Sequence, residues 1–171
     1  MSNTPTIIGA TSLHLLPEKG LVFFKNQAFS GISVAYYSDS TKAEVITYKN
    51  GKKHGLTQKW YPDGVLSYEC NYEYGKKHGE SSSWWPGGKL RSASNFVKGM
   101  PHGTQWQWYK SGAPFKKLQL HKGMEEGLQQ AWRENGKLYS NYEARNGRIF
   151  GLKRANLCYQ LDDEIVQYAE N

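Results

Sequence analysis

The sequence predicts an all-β protein, an elongated and curved or twisted single-layer antiparallel meander of about 12 to 14 strands with a short C-terminal cap. Three observations carry this expectation. Glycine recurs every 24 residues, at 31, 55, 79, 103, 127 and 151. An aromatic residue follows five positions later, at Tyr36, Trp60, Trp84, Trp108 and Trp132. Each repeat also holds two turn signals about twelve residues apart, which leaves room for two strands of five to seven residues and none for a helix.

In chain order, residues 1–23 lie off the 24-residue ruler. Leu13–Leu16 and Leu21–Phe24 flank Pro17-Glu18-Lys19-Gly20, with proline early and glycine last, so a capping hairpin that starts the sheet is expected. Five to six repeats then fill residues 24–151, and residues 152–171 form the cap, where Asp162 is placed to begin a short terminal helix. The first turn of each repeat reads Tyr61-Pro62-Asp63-Gly64, echoed by Trp85-Pro86-Gly87-Gly88, Tyr109-Lys110-Ser111-Gly112 and Arg133-Glu134-Asn135-Gly136. This composition fits a type I turn followed by a glycine bulge, because glycine takes a positive φ without a Cβ clash. The register expected from it pairs Tyr61 with Val65, Trp60 with Leu66, Gln58 with Tyr68 and Leu56 with Cys70. Strict alternation then puts Leu56, Gln58, Trp60, Leu66, Tyr68, Cys70 and Tyr72 on an apolar face. Thr57, Lys59, Tyr61, Val65, Ser67, Glu69 and Asn71 take the wet face. Pro114, Phe115 and Lys116 break this sorting, which implies a bulge in the fourth repeat. The second turn is Gly51-Lys52-Lys53-His54-Gly55, repeated at Gly75–Gly79, in which two glycines four apart reverse the chain.

The recurring string Y-x-x-G-x-x-x-G-x-x-x-x-W-Y-x-x-G resembles the MORN repeat variant, and the chain is similar to bacterial proteins of the YwqK-family antitoxin type. The likeness extends over residues 24–151, with Gln27 and Ser40 departing from the pattern in the first repeat. It implies an elongated, twisted antiparallel sheet used for protein or lipid contact.

Charge and chemistry narrow the function. The formal net charge is +7, and residues 48–119 hold twelve basic and four acidic groups. Such a basic middle suits an acidic protein partner, an anionic membrane surface or, less well, nucleic acid. Lys52, Lys53, Lys76 and Lys77 are expected to line the edge beside the aromatic column. Tyr36, Trp60, Trp84, Trp108 and Trp132, with those lysines, are the candidate partner-binding residues, and the apolar face could also serve self-association. No nucleophile elbow, phosphate loop or dinucleotide fingerprint is present. The expectation is a protein with no enzymatic activity and no cofactor. His54, His78 and His102 share one repeat position, so they sit two strands apart, about 9.6 Å at ~4.8 Å per strand, too far to share one ion. No metal site is expected. Cys70 and Cys158 lie too far apart in an open sheet for a disulfide, which makes both free thiols. With only two cysteines and no signal peptide or membrane-spanning run, a reducing, cytoplasmic location is expected.

Overall fold

A computed structural model describes residues 5–152. The cap expected beyond residue 152, with its helix after Asp162, and the expected free thiol of Cys158 lie outside the described residues. Two sheets are present. The small one contains β2 (His14–Leu16), β3 (Leu21–Phe24) and β4 (Gln27–Ala28), in that order. The large one begins with β1 (Ile7–Gly9), which pairs in parallel with β5 (Gly31–Tyr36). It continues as an antiparallel meander through β6 (Lys42–Lys49), β7 (Lys52–Trp60), β8 (Leu66–Glu73), β9 (Lys76–Trp84) and β10 (Leu90–Val97). Then follow β11 (Met100–Pro101), β12 (Gly103–Trp108), β13 (Pro114–His121), β14 (Met124–Glu125), β15 (Gly127–Trp132), β16 (Leu138–Arg145) and β17 (Arg148–Leu152). That sheet has 14 strands in sequential order, with β11 and β14 as short offshoots on β10 and β13. No α-helix occurs among the described residues.

The expected N-terminal hairpin forms, but it does not start the large sheet. Its turn is closed by Gly20 N–H donating to the Pro17 carbonyl at 3.2 Å. The hairpin joins β4 instead, and docks on the Asn50-Gly51 turn through Val22 N–H donating to the Gly51 carbonyl at 2.9 Å. The edge position it was expected to fill is taken by β1.

Both turn types recur in phase. The first is the expected type I turn with a bulge: Tyr61 N–H donates to the Val65 carbonyl at 2.8 Å and Gly64 N–H to the Tyr61 carbonyl at 2.9 Å, with Gly64 at φ +82°. Asp39, Asp63 and Asn135 side chains each accept the backbone N–H two residues on, which fixes the turn locally. The second turn is tighter than the glycine pair implies. Asn50-Gly51 forms a two-residue loop with both φ values positive (50° and 76°), as do Tyr74-Gly75, Lys98-Gly99 and Lys122-Gly123. This is the type I′ geometry whose twist suits a hairpin. Lys52, Lys53 and His54 therefore already belong to β7, and Gly55 (φ +90°) is a bulge within the strand.

The face assignment needs correction. Trp60 pairs with Leu66 as expected, but the next pairs are Lys59 with Tyr68, Gln58 with Glu69, Thr57 with Cys70 and Leu56 with Asn71. One extra residue, Ser67, is accommodated as a bulge beside Lys59, and a one-residue slip moves every later side chain of β8 to the opposite face. The bulge expected in the fourth repeat is present at Gln107/Trp108, and the same irregularity appears at Ala35/Tyr36 and Ala131/Trp132, so the fourth repeat is not alone in having it. It obeys the rule that the simple alternation overlooked.

With register settled, one face carries a continuous row of small or buried side chains: Ser33, Ile46, Thr57, Cys70, Ser81, Ser94, Gln105, Leu118, Gln129 and Tyr142. Cys70 is 0% exposed and Thr57 1%. Burial this complete within one layer comes from larger neighbours on the same face. Tyr48, Tyr72 and Phe96 stand opposite Gly31, Gly55 and Gly79, where the missing Cβ leaves room for a ring to lean. Where the glycine bulge parts the ladder in later repeats, glutamine amides take over its hydrogen bonds. Gln129 Nε2 donates to the Gln119 carbonyl at 2.7 Å, and its Oε1 accepts Gln119 N–H at 3.1 Å.

Candidate functional site

The ribbon has two long edges, one formed by the Tyr-Pro-Asp-Gly turns and the other by the two-residue turns. Tyr36, Trp60, Trp84, Trp108 and Trp132 all end their strands at the first edge. Register places them on the face opposite the buried row. Trp106, two residues before Trp108, shares that face: its ring stacks on Trp108 at 5.6 Å and on Trp132 at 6.0 Å, nearly parallel to both. Lys42 Nζ lies over the Trp60 ring at 5.4 Å and Lys117 over Trp106 at 5.3 Å. Tyr36 is 60% exposed and the four tryptophans are half-buried. Among the described residues the column is thus stacked ring on ring only from Trp106 to Trp132, and it is open on its outer side along its length.

The residue after each of the first four of these aromatics does a different job, which simple alternation did not reveal. Tyr37 Oη donates to the Trp60 carbonyl at 2.7 Å, and Tyr61 Oη to the Trp84 carbonyl at 2.8 Å. Trp85 Nε1 donates to the Trp108 carbonyl at 3.2 Å, and Tyr109 Oη to the Trp132 carbonyl at 3.0 Å. Every repeat thereby clamps the next through a side-chain donor and a tryptophan carbonyl. The tryptophan gives only its backbone to this clamp, so the indole is left for other work. The signal was present in the sequence as the second aromatic of the Trp-Tyr pair, at the same 24-residue spacing.

The lysines are not beside this column. Lys52 begins β7 and Trp60 ends it, eight residues or roughly 26 Å away at ~3.3 Å per residue. Lys53 and Lys77 also point to the face of the buried row. Lys53 Nζ lies 5.3 Å from the Tyr72 ring centre, and Lys77 Nζ lies over both Tyr68 (5.4 Å) and Phe96 (4.8 Å). The residues expected to form one composite surface therefore lie in two groups, separated because strand length puts the two turn types on opposite edges. Beside Lys53 and Lys77 two phenols, Tyr68 and Tyr72, are half-buried. Burial raises the Tyr68 pKa, and burial followed by the hydrogen bond with Tyr68 raises that of Tyr72; the two hydroxyls are 3.4 Å apart.

The histidines of the turn each face a different neighbour. His54 Nδ1 accepts Tyr74 N–H at 3.4 Å, His78 Nδ1 lies 3.5 Å from the Glu73 carboxylate, and the His102 ring packs on His121 at 4.9 Å. No three histidine, cysteine, aspartate or glutamate side chains converge as a metal site among the described residues. The Cys70 thiol is free and donates to the Asn71 carbonyl at 3.3 Å. It shares its face with Tyr68, as expected, but not with Leu66. No helix of the described residues is long and apolar enough to cross a membrane.

These turns, clamps and bulges repeat without loss of phase from β5 to β16, and the central part has a recognisable signature. Residues 53–74 and 77–98 each match the MORN repeat variant. No curated protein matches the chain. The two matched MORN units contain Lys53, Trp60, Lys77 and Trp84, and the strand pairings of the neighbouring repeats reproduce theirs.

Proposed function

We propose that this protein is a non-enzymatic interaction scaffold that receives a partner protein along the outer row of Tyr36, Trp60, Trp84, Trp108 and Trp132. One observation carries the reading: these rings are aligned on a single face across five repeats, half-exposed, while the clamp that joins the repeats uses only their backbone. None of the indole N–H groups of Trp60, Trp84, Trp108 and Trp132 donates a hydrogen bond among the described residues, which leaves each half-exposed ring with an unused donor. Large aromatic surface with an unused polar handle is what hot-spot residues provide. A finer form of the proposal, which rests on the resemblance of the repeat string to YwqK-family antitoxin proteins, is that the partner is a toxin held inactive on this row. Action in the cytoplasm accords with the buried, unpaired Cys70 thiol.

The test is capture from the native cell extract by the wild-type protein and by Trp84→Ala, followed by titration of each recovered protein against both forms. A partner that loses affinity by roughly tenfold or more with Trp84→Ala, while the melting curve persists because Tyr61 still clamps the backbone carbonyl of residue 84, supports the scaffold. Equal binding by both forms removes the indole row from the function. Concentration-dependent dimerisation abolished by the same change would identify the occupant as a second copy.

A further inference from the structure

A second surface lies at the opposite edge. The small N-terminal sheet packs so closely on the Asn50-Gly51 turn that a Cβ on Gly51 would come within 3.0 Å of Leu21 Cβ and of the Val22 carbonyl oxygen. Between this sheet and the turns of the next two repeats opens a groove of about 590 Å³. Its apolar walls include Leu15, Tyr48 and Tyr74, and its ammonium groups come from Lys52, Lys53 and Lys76. Leu15 is 62% and Tyr74 60% exposed. No carboxylate lines the groove. The nearest by register, Glu73 opposite Lys76, directs its carboxylate to His78 instead.

The lysines are ordered without being neutralised. Lys52 and Lys76 lay their stems over Gly75 and Gly99, with Cβ approaches of 3.8 and 3.4 Å to the position of an added Cβ. Lys53 is held by the Tyr72 ring. Neither Lys52, Lys53 nor Lys76 has an ion pair among the described residues. Because each stem is seated on the turn of the following repeat, the charges of Lys52 and Lys76 are spread along the edge at the repeat spacing, about 9.6 Å for two strands. A single phosphate needs donors that converge. A run of carboxylates needs them spaced, with apolar surface between.

We infer that this groove binds an extended acidic segment of a partner protein, its carboxylates on Lys52 and Lys76 and an apolar side chain against Leu15, Tyr48 and Tyr74. Such a site would steer an acidic partner and fix its register, leaving the indole row to supply most of the buried contact.

The experiment measures fluorescence anisotropy of a labelled synthetic peptide alternating glutamate and valine, titrated with the full chain. Saturable binding is expected, falling with salt and weakened roughly tenfold or more by the pair Lys52→Glu and Lys76→Glu. Leu15→Asp should weaken it as well, and Trp84→Ala should leave it unchanged, which separates failure of this site from failure of the indole row. All these positions but Trp84 are exposed, so unchanged melting curves are the check on folding. Equal binding of a lysine-valine peptide, or indifference to the charge reversals, would overturn the inference. So would binding to phosphatidylcholine vesicles containing phosphatidylserine, lost on the same reversals, in a protein that ignores the acidic peptide.

Discussion

The two long edges of the ribbon are joined by different means. At the tryptophan edge the bond between repeats runs from a side chain, a tyrosine hydroxyl or the Trp85 indole, to a carbonyl in the next repeat. At the lysine edge it runs from backbone to backbone: Gly75 N–H donates to the Lys53 carbonyl, Gly99 to Lys77 and Gly123 to Pro101, each at 2.8 Å. The first device ties residue identity to the architecture. The second leaves identity free, which is why Lys52, Lys76, Met100 and Met124 can occupy one repeat position. Side chains that the fold does not need at the lysine edge are available for recognition.

The sharpest challenge to this contrast is at Gly51. Its positive φ and its contact with β3 predict that Gly51→Val destabilises the protein by about 3 kcal/mol or more, as measured by denaturant unfolding. Gly64, at the other edge, has the same sign of φ and nothing within 4 Å of an added Cβ. There Gly64→Ala should cost only the conformational term, about 1–2 kcal/mol. Equal losses at both sites would mean that the small sheet adds nothing to the turn beneath it.

Alkaline titration examines the row between the edges. Tyr142, 6% exposed and donating to the Glu125 carboxylate at 2.9 Å, has its pKa pushed up to about 12 by burial and then by that bond. A phenol whose folded pKa lies above its unfolded value of about 10 stabilises the fold fully below pH 10. That contribution is lost as pH rises from about 10 through about 12. Tyrosinate absorbance should show this phenol ionising late and together with loss of β-sheet circular dichroism; ionisation near 10 in a folded chain would contradict the burial.

A smaller loss is expected from Tyr61→Phe, which removes one clamp while keeping the ring. The expected cost is about 1 kcal/mol. Proteolysis should begin between Tyr61 and Trp84; an unchanged melting temperature would show that the backbone ladder and the remaining side-chain contacts of that junction, His54 with Tyr74 N–H and Tyr68 with Tyr72, suffice. The smallest change has the opposite sign. Thr57 Oγ1 is buried without a hydrogen-bond partner, so Thr57→Val should be neutral or stabilising by up to about 1 kcal/mol in thermal unfolding.

The repeat phase, the two turn positions and the alignment of the tryptophans were legible in the sequence because glycine and tryptophan mark single repeat positions. The face sorting failed after Leu66 because a bulge adds a residue without any glycine or proline to announce it; Ser67, Arg91 and Phe115 hold equivalent positions with unrelated chemistry. The lysines were wrongly set beside the tryptophans for a related reason. Both sets lie near turns, and only the strand between them, β7 or β9, shows that the turns belong to opposite edges. The buried row was hidden because serine, threonine and glutamine are ordinarily surface residues, and their burial here depends on rings from neighbouring strands.

The clamps have an implication for how such a chain changes length. The clamp donors Tyr37, Tyr61, Trp85 and Tyr109 each reach a carbonyl 23 positions ahead, and Gly51, Gly75, Gly99 and Gly123 each a carbonyl 22 positions behind. Excising residues 75–98 as a block would bring Tyr61 to the carbonyl of Trp108 and Gly99 to that of Lys53, restoring both connections with no new chemistry. Duplication or loss of one such block would lengthen or shorten the array while preserving every junction.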